Sequence, residues 1–367
     1  MIKNKERITP GQLMILIVQT QIGVGVLFLP STVEAKAYND AWIAVILGGG
    51  ASAVLLLAIW ALGRRFPGMV FFDFLPLLMG KPLGKIIHAI YAVMFIAECG
   101  VILAQFGDVV RDWIFSNTPS WMILGLMLAV AVYMAVENLR FITRFFVLTF
   151  ILIFVLILIA LYAYREAEWL YALPIGNAGF LNIVKGSALS MNSFYGFEIL
   201  LFAFPFVQGS SKSVLKAGMY ANLFSTVVYA FLVFTCVLVF TPLELRLIPQ
   251  PILYMVKALS FTVFERADLY FLAIWTVVVL TTVMAYLYMA AKSVSSLFGK
   301  SRHAGTVPLV AAMIWTLAVY PHDQDMIDWM QKIVSALTTL TLVVLPTLLL
   351  GISYFRKIER KEQVQKG

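Results

Sequence analysis

The chain has 367 residues, of which 62% are hydrophobic and only 13% charged. Such a composition belongs in a bilayer, and about ten spans of roughly 20 to 25 residues would leave no length for a separate soluble domain of any size. The formal charge of +8 could suit an anionic partner, but the basic residues are scattered through the segments between apolar runs, which excludes nucleic acid as a partner and makes membrane orientation the better account.

Apolar runs predict spans at 11–37, 41–63, 84–114, 120–137 and 143–164, then at 180–207, 216–241, 267–296, 306–320 and 326–355. Lys3, Lys5 and Arg7 ahead of the first run look superficially like a secretory signal. The run continues through Gly23, Gly25 and Pro30 without a small-residue cleavage site, so the segment is expected to be retained as a span.

The first span is interrupted at Ile22-Gly23-Val24-Gly25-Val26. Hydrocarbon offers no partner to a bare N–H or C=O, so a helix opens at membrane depth only where it is buried or lines a cavity. Two glycines at spacing two do not form one helical packing face, and lacking Cβ atoms they permit unusual dihedrals and close approach of a ligand. Thr20 and Gln21 add polar atoms beside the break. In the second span, Gly48-Gly49-Gly50 reads as close helix packing rather than phosphate binding.

Glu98 falls near the middle of the third span, where an ionised acid costs about 2.5 to 3.5 kcal/mol on insertion scales unless paired or hydrated. It is a functional candidate, the alternative being a protonated, hydrogen-bonded acid facing the bundle. Cys99 and Cys236 lie inside spans and read as inert buried residues. His88, His303 and His322 sit far apart without ligand spacing, so no metal centre is expected. No Walker loop, dinucleotide fingerprint or nucleophile elbow is present, which argues against an enzyme and against a bound cofactor.

The chain divides near Arg165 to Asn182, leaving five spans on either side, 11–164 and 180–355. Five is odd, so the second half enters the membrane from the opposite side, the layout of an inverted repeat within a single transmembrane domain, 1–367. The second half also begins with a broken helix, at Phe194-Tyr195-Gly196-Phe197-Glu198. Glu198 could neutralise an ammonium, accept a proton or fix the opened backbone, the last being favoured. Phe194 and Tyr195 occupy the break itself. Between 241 and 266, three prolines precede an apolar stretch from Ile252 to Phe264, read as an interfacial helix or a solvated loop. Thr281 and Thr282 offer hydroxyls at mid-membrane depth on the eighth span. Lys and Arg concentrate on one side, including the tail 356–367, which predicts an even number of spans and cytoplasmic termini.

Gln21 to Pro30, reading QIGVGVLFLP, resembles the first-helix signature of the amino acid, polyamine and organocation transporter superfamily. Ser193 to Glu198, SFYGFE, resembles its sixth-helix signature. More narrowly, Asn192 to Ser213, NSFYGFEILLFAFPFVQGSSKS, resembles the spore germination permease family, the B subunits of germinant receptors. The resemblance covers essentially the whole chain. It implies an all-α, LeuT-like bundle of about ten helices in the spore inner membrane, with helices 1 and 6 broken. It further implies a subunit that senses a small germinant, often an amino acid, beside an A subunit and a lipoprotein C subunit.

The candidate ligand contacts are Thr20, Gln21, Ile22, Gly23, Val24 and Gly25 at the first break and Phe194, Tyr195, Gly196 and Glu198 at the second, with Glu98 of the third span a further candidate; Thr20 and Gln21 could equally satisfy a neighbouring carbonyl. Thr281 and Thr282 stand where sodium-coupled relatives place a cation ligand. No lysine occurs from Phe145 to Tyr164, so the ammonium that replaces sodium in some proton-coupled relatives is not evident. A stand-alone amino acid transporter working by alternating access is the alternative function.

Overall fold

The computed structural model describes residues 6–259, 266–300 and 302–356. Among them the chain is helical, without a strand, as burial of every backbone polar group in a bilayer requires of an open chain. Thr9 opens the first span with a capping box to Gln12 and Pro10 at the first helical position, an arrangement that satisfies helix-end N–H groups. The span then divides into α1 (Pro10–Gln21) and α2 (Gly25–Ala37). The second span is α3 (Ala41–Arg65).

Next comes a helix the apolar runs did not predict, α4 (Phe71–Met79). Nine residues containing Pro76 are too few to span a bilayer, but Phe71, Phe72, Phe74, Leu75 and Leu78 are buried. Close packing on α5 (Lys81–Trp113) is visible at Gly84, where a Cβ would stand 3.0 Å from the Cα of Pro76. The first half ends with α6 (Ser120–Ala135), α7 (Leu139–Thr149) and α8 (Ile151–Tyr162).

The second half opens with α9 (Phe180–Phe194) and, after a bend of 49°, a short helical stretch through Phe206 that contains α10 (Leu200–Ala203). α11 (Ser211–Val239) follows, then α12 (Pro242–Leu247) and α13 (Pro251–Ala258). α13 covers the start of the expected interfacial helix; residues 260–264 of that stretch lie outside the described residues, as do Lys3, Lys5 and the tail from 357. α12 has its own capping box, in which the Thr241 N–H and hydroxyl donate to Glu244 and hold its carboxyl below the usual carboxylate range. α14 (Ala267–Leu297), α15 (Val307–Val319) and α16 (Gln324–Thr339) complete the bundle with α17 (Leu345–Phe355), which a π-helical turn at Leu340–Val344 joins to α16.

Six helical stretches are long and apolar enough to cross a membrane, the bent pair makes a seventh, and α6 and α15 are shorter apolar helices. Each of the ten predicted runs falls on one of these elements or on α1 with α2. α5, α11 and α14 are largely buried within the protein, whereas α7 with α8 and α16 with α17 are more peripheral. Close packing in α3 rests on Gly48 and Gly49, where a Cβ would run into Ser190 and Thr226.

The bundle is tied at both ends. At one, the Ile8 N–H donates to the Phe206 carbonyl at 2.9 Å and the Gln208 N–H to the Ile8 carbonyl at 2.8 Å. At the other, Arg246 of α12 meets the buried Glu34 of α2 at 3.3 Å. The buried Asp40 carboxylate accepts from the Gly176 and Ala178 N–H groups at 2.8 and 3.0 Å.

Candidate functional site

The two breaks face each other at the centre of the bundle. α1 ends at Ile22, whose ψ of 97° turns the chain out of the helix, and α2 restarts at Gly25. Opposite, Tyr195 is extended and Gly196 has φ 125°, a conformation that favours glycine. Side chains then satisfy the opened backbone, as the low dielectric demands. Gln21 Nε2 donates to the Phe194 carbonyl at 2.8 Å, and the Ser225 hydroxyl donates to Gln21 Oε1 at 2.8 Å. The Tyr229 hydroxyl sits between the Gln21 and Ser193 carbonyls, 2.7 and 2.9 Å away, and so fastens one break to the other.

Glu198 is buried and accepts a hydrogen bond at each oxygen. The Gly196 N–H donates to its Oε2 at 2.6 Å and the Tyr286 hydroxyl to its Oε1 at 2.5 Å. The carboxylate therefore fixes the second break. Thr281 and Thr282 perform a related task at the first. The Thr282 hydroxyl reaches the Gln19 and Ile22 carbonyls at 3.1 and 3.3 Å. The Thr281 hydroxyl reaches the Val278 and Gln19 carbonyls at 2.6 and 3.2 Å. This uncharged, all-oxygen set is of the kind a hard cation takes; each hydroxyl donates its single proton to a protein carbonyl and keeps its lone pairs. Among the described residues, no group of three His, Cys, Asp or Glu side chains could hold a metal ion.

Beside the breaks, α2, α5, α9, α14 and α16 line an open cavity of about 350 Å³. Of the residues singled out from sequence, Thr20, Gln21, Gly23, Val24 and Gly25 line it, with Glu98, Tyr195 and Thr282. Ile22, Phe194, Gly196, Glu198 and Thr281 are not among the lining residues. Phe194 packs edge-on against Tyr229 with ring centroids 5.2 Å apart, while Gly196, Glu198 and Thr281 are engaged as described above. The Thr20 hydroxyl donates to its own helix, at the Leu16 carbonyl. Glu98 has a partner that the sequence left unassigned: the Thr338 hydroxyl donates to its Oε2 at 2.9 Å.

The lining also includes residues that sequence reasoning missed, chiefly Gln105 on α5, Asn192 on α9, Tyr286 on α14, and Asp328 and Gln331 on α16. A signal for the last two was present. Gln324, Asp328, Gln331, Ser335 and Thr338 recur at intervals of three and four, which puts them on one face of a helix. The acidic side chains among the described lining residues are Glu98 and Asp328, with no Lys or Arg beside them.

The sequence pattern of the spore germination protein family matches residues 7–327. The chain belongs to that family. It is 25% identical over 326 residues to spore germination protein GerQB of Bacillus cereus, covering 88% of this chain and 89% of that protein. To spore germination protein YndE of Bacillus subtilis strain 168 it is 27% identical, over 97% of this chain and 99% of that one. Among solved structures it resembles MhsT in complex with L-phenylalanine, with a TM-score of 0.71, 14% identity, and coverage of 95% and 89% of the two chains. Mhp1, a nucleobase-cation-symport-1 family transporter, gives a TM-score of 0.69 at 12% identity, covering 97% of this chain and 80% of that one. This member of the family thus has an all-α, LeuT-like fold with its first and sixth spans broken.

Proposed function

We propose that this protein is the germinant-sensing membrane subunit of a spore germination receptor, with an amino acid bound in the cavity beside the breaks. The observation that carries the reading is the pairing, in one cavity, of a buried acid with an opened helix start: Glu98 on α5 and Gly23 to Gly25 at the head of α2. A buried carboxylate attracts an ammonium group, and a helix N-terminus with glycine at its approach attracts a carboxylate. A zwitterion answers both. The resemblance to MhsT, solved in complex with L-phenylalanine, is in keeping with a ligand of this size and class.

Occupancy then favours one arrangement of the bundle over another through its different affinity for the two, as any ligand-driven shift must. The shift is passed to an A subunit and a lipoprotein C subunit in the spore inner membrane, with both termini cytoplasmic. No bond is made or broken, so the protein is not an enzyme. The test is a binding screen of amino acids on the full-length chain in lipid nanodiscs, run beside co-purification of partner subunits and uptake into liposomes. Saturable binding, co-purification and no gradient-driven uptake support the sensor. Saturable uptake by the chain alone would overturn it in favour of a stand-alone transporter.

A further inference from the structure

Carboxamides recur in the lining of the cavity. Gln105 and Gln331 both line it, and Gln105 Nε2 donates to Gln331 Oε1 at 3.3 Å, a long bond. Asn192 lines the same cavity, with its Oδ1 held by the Ser335 hydroxyl at 2.7 Å. Each primary amide carries two N–H donors and an oxygen with two lone pairs. One long bond between the two glutamines therefore leaves most of their hydrogen-bonding capacity unused by the protein. An aliphatic ligand seated there would strand it, at the penalty of burying an unpaired polar group.

Charge narrows the choice further. With Glu98 and Asp328 as the acids among the described lining residues and no Lys or Arg beside them, a second carboxylate on the ligand meets repulsion and no countercharge. Distance narrows it again: Glu98 and Gln105 stand seven residues apart on α5, roughly 10 Å along a helix rising 1.5 Å per residue. Two hydrogen bonds and a side chain of glutamine length cover that span.

We propose, building on the reading of this cavity as an amino-acid site, that it selects amino acids whose side chain hydrogen-bonds and carries no negative charge. The foremost is a terminal carboxamide of glutamine length, held against Gln105, Gln331 and Asn192.

Three ligands of nearly equal size test this on the full-length chain in nanodiscs by calorimetry: glutamine, methionine and glutamate. Glutamine is expected to bind at least ten-fold more tightly than methionine, with glutamate weakest. Gln331→Leu is expected to weaken glutamine at least ten-fold while leaving methionine unchanged or improved, and Gln105→Leu serves the same purpose if the first variant fails to fold. Equal binding of glutamine and methionine, or a ratio unmoved by either substitution, would overturn the proposal. Methionine binding that Gly25→Leu abolishes, without preference for glutamine, sinks the selectivity and leaves the amino-acid site standing. If none of the three ligands binds and an amino acid panel is equally silent, both readings fall.

Discussion

Gly196 rests directly on Gln21: a Cβ built on the glycine would stand 2.7 Å from the Gln21 backbone nitrogen. The obstacle is main chain, which has no rotamer to change, and φ at Gly196 is 125°, a region closed to side chains at low cost. Gly196→Ala thus combines backbone strain with overpacking, each worth about 1 to 3 kcal/mol. The expected outcome is a clear fall in the melting temperature of the purified protein and loss of ligand binding. An unchanged melting curve would mean that the two breaks are not in contact.

Gly25 is a different kind of glycine. Its Cβ would meet the Ser193 hydroxyl at 3.1 Å, and Gly25 lines the cavity. Gly25→Leu should put a side chain where the ligand lies, blocking the response to germinant while membrane abundance stays near normal. Quantitative immunoblotting and a binding assay separate the outcomes. Full response would refute the assignment of the cavity; disappearance from the membrane would assign the glycine to packing.

The fold was legible because a bilayer imposes length and apolarity on every crossing segment, so the ten runs stood out. α4 was not, since nine residues with an internal proline and Asp73 meet no such rule. Gly23, Gly25 and Gly196 announced the breaks, as backbone departures from a helix leave a mark in the local sequence. The partners of the acids left none: Glu98 meets Thr338, 240 positions away, and Glu198 meets Tyr286, 88 positions away. The polar stripe of α16 lay in plain view at helical spacing. Its meaning required knowing which helix face meets the cavity rather than lipid.

On the proposed reading Glu98 receives the ligand's ammonium, because it lines the cavity and Glu198 does not. Glu98→Gln keeps a carbonyl oxygen for the Thr338 hydroxyl and removes the charge. Ligand affinity should drop roughly ten- to hundred-fold, about 1.4 to 2.8 kcal/mol, with little change in thermal stability. Thr338→Val should weaken binding less, since it loosens the carboxylate without neutralising it. Equal effects of the two variants would indicate that the hydrogen bond, and not the charge, matters to the ligand.

Tyr91 governs the joint between α16 and α17. Its buried hydroxyl donates to the Thr341 carbonyl at 2.5 Å, within the π-helical turn. Such turns leave main-chain groups without their usual partner and often mark functional positions. Below the turn, α17 is anchored: Arg65 donates to the Ser353 carbonyl at 3.0 Å, and Arg356, just past its end, to the Leu78 carbonyl at 2.8 Å. Above it, α16 carries Asp328 and Gln331 into the cavity. Tyr91→Phe keeps the ring, with its edge contact to Phe71 at 4.9 Å, and strands the carbonyl, a loss of about 1 to 3 kcal/mol. The melting temperature should fall, and hydrogen exchange should quicken at amides around the π turn and in α16 while those of α17 stay protected. Uniform acceleration across both helices would mean that the hydroxyl supports the whole span rather than its joint.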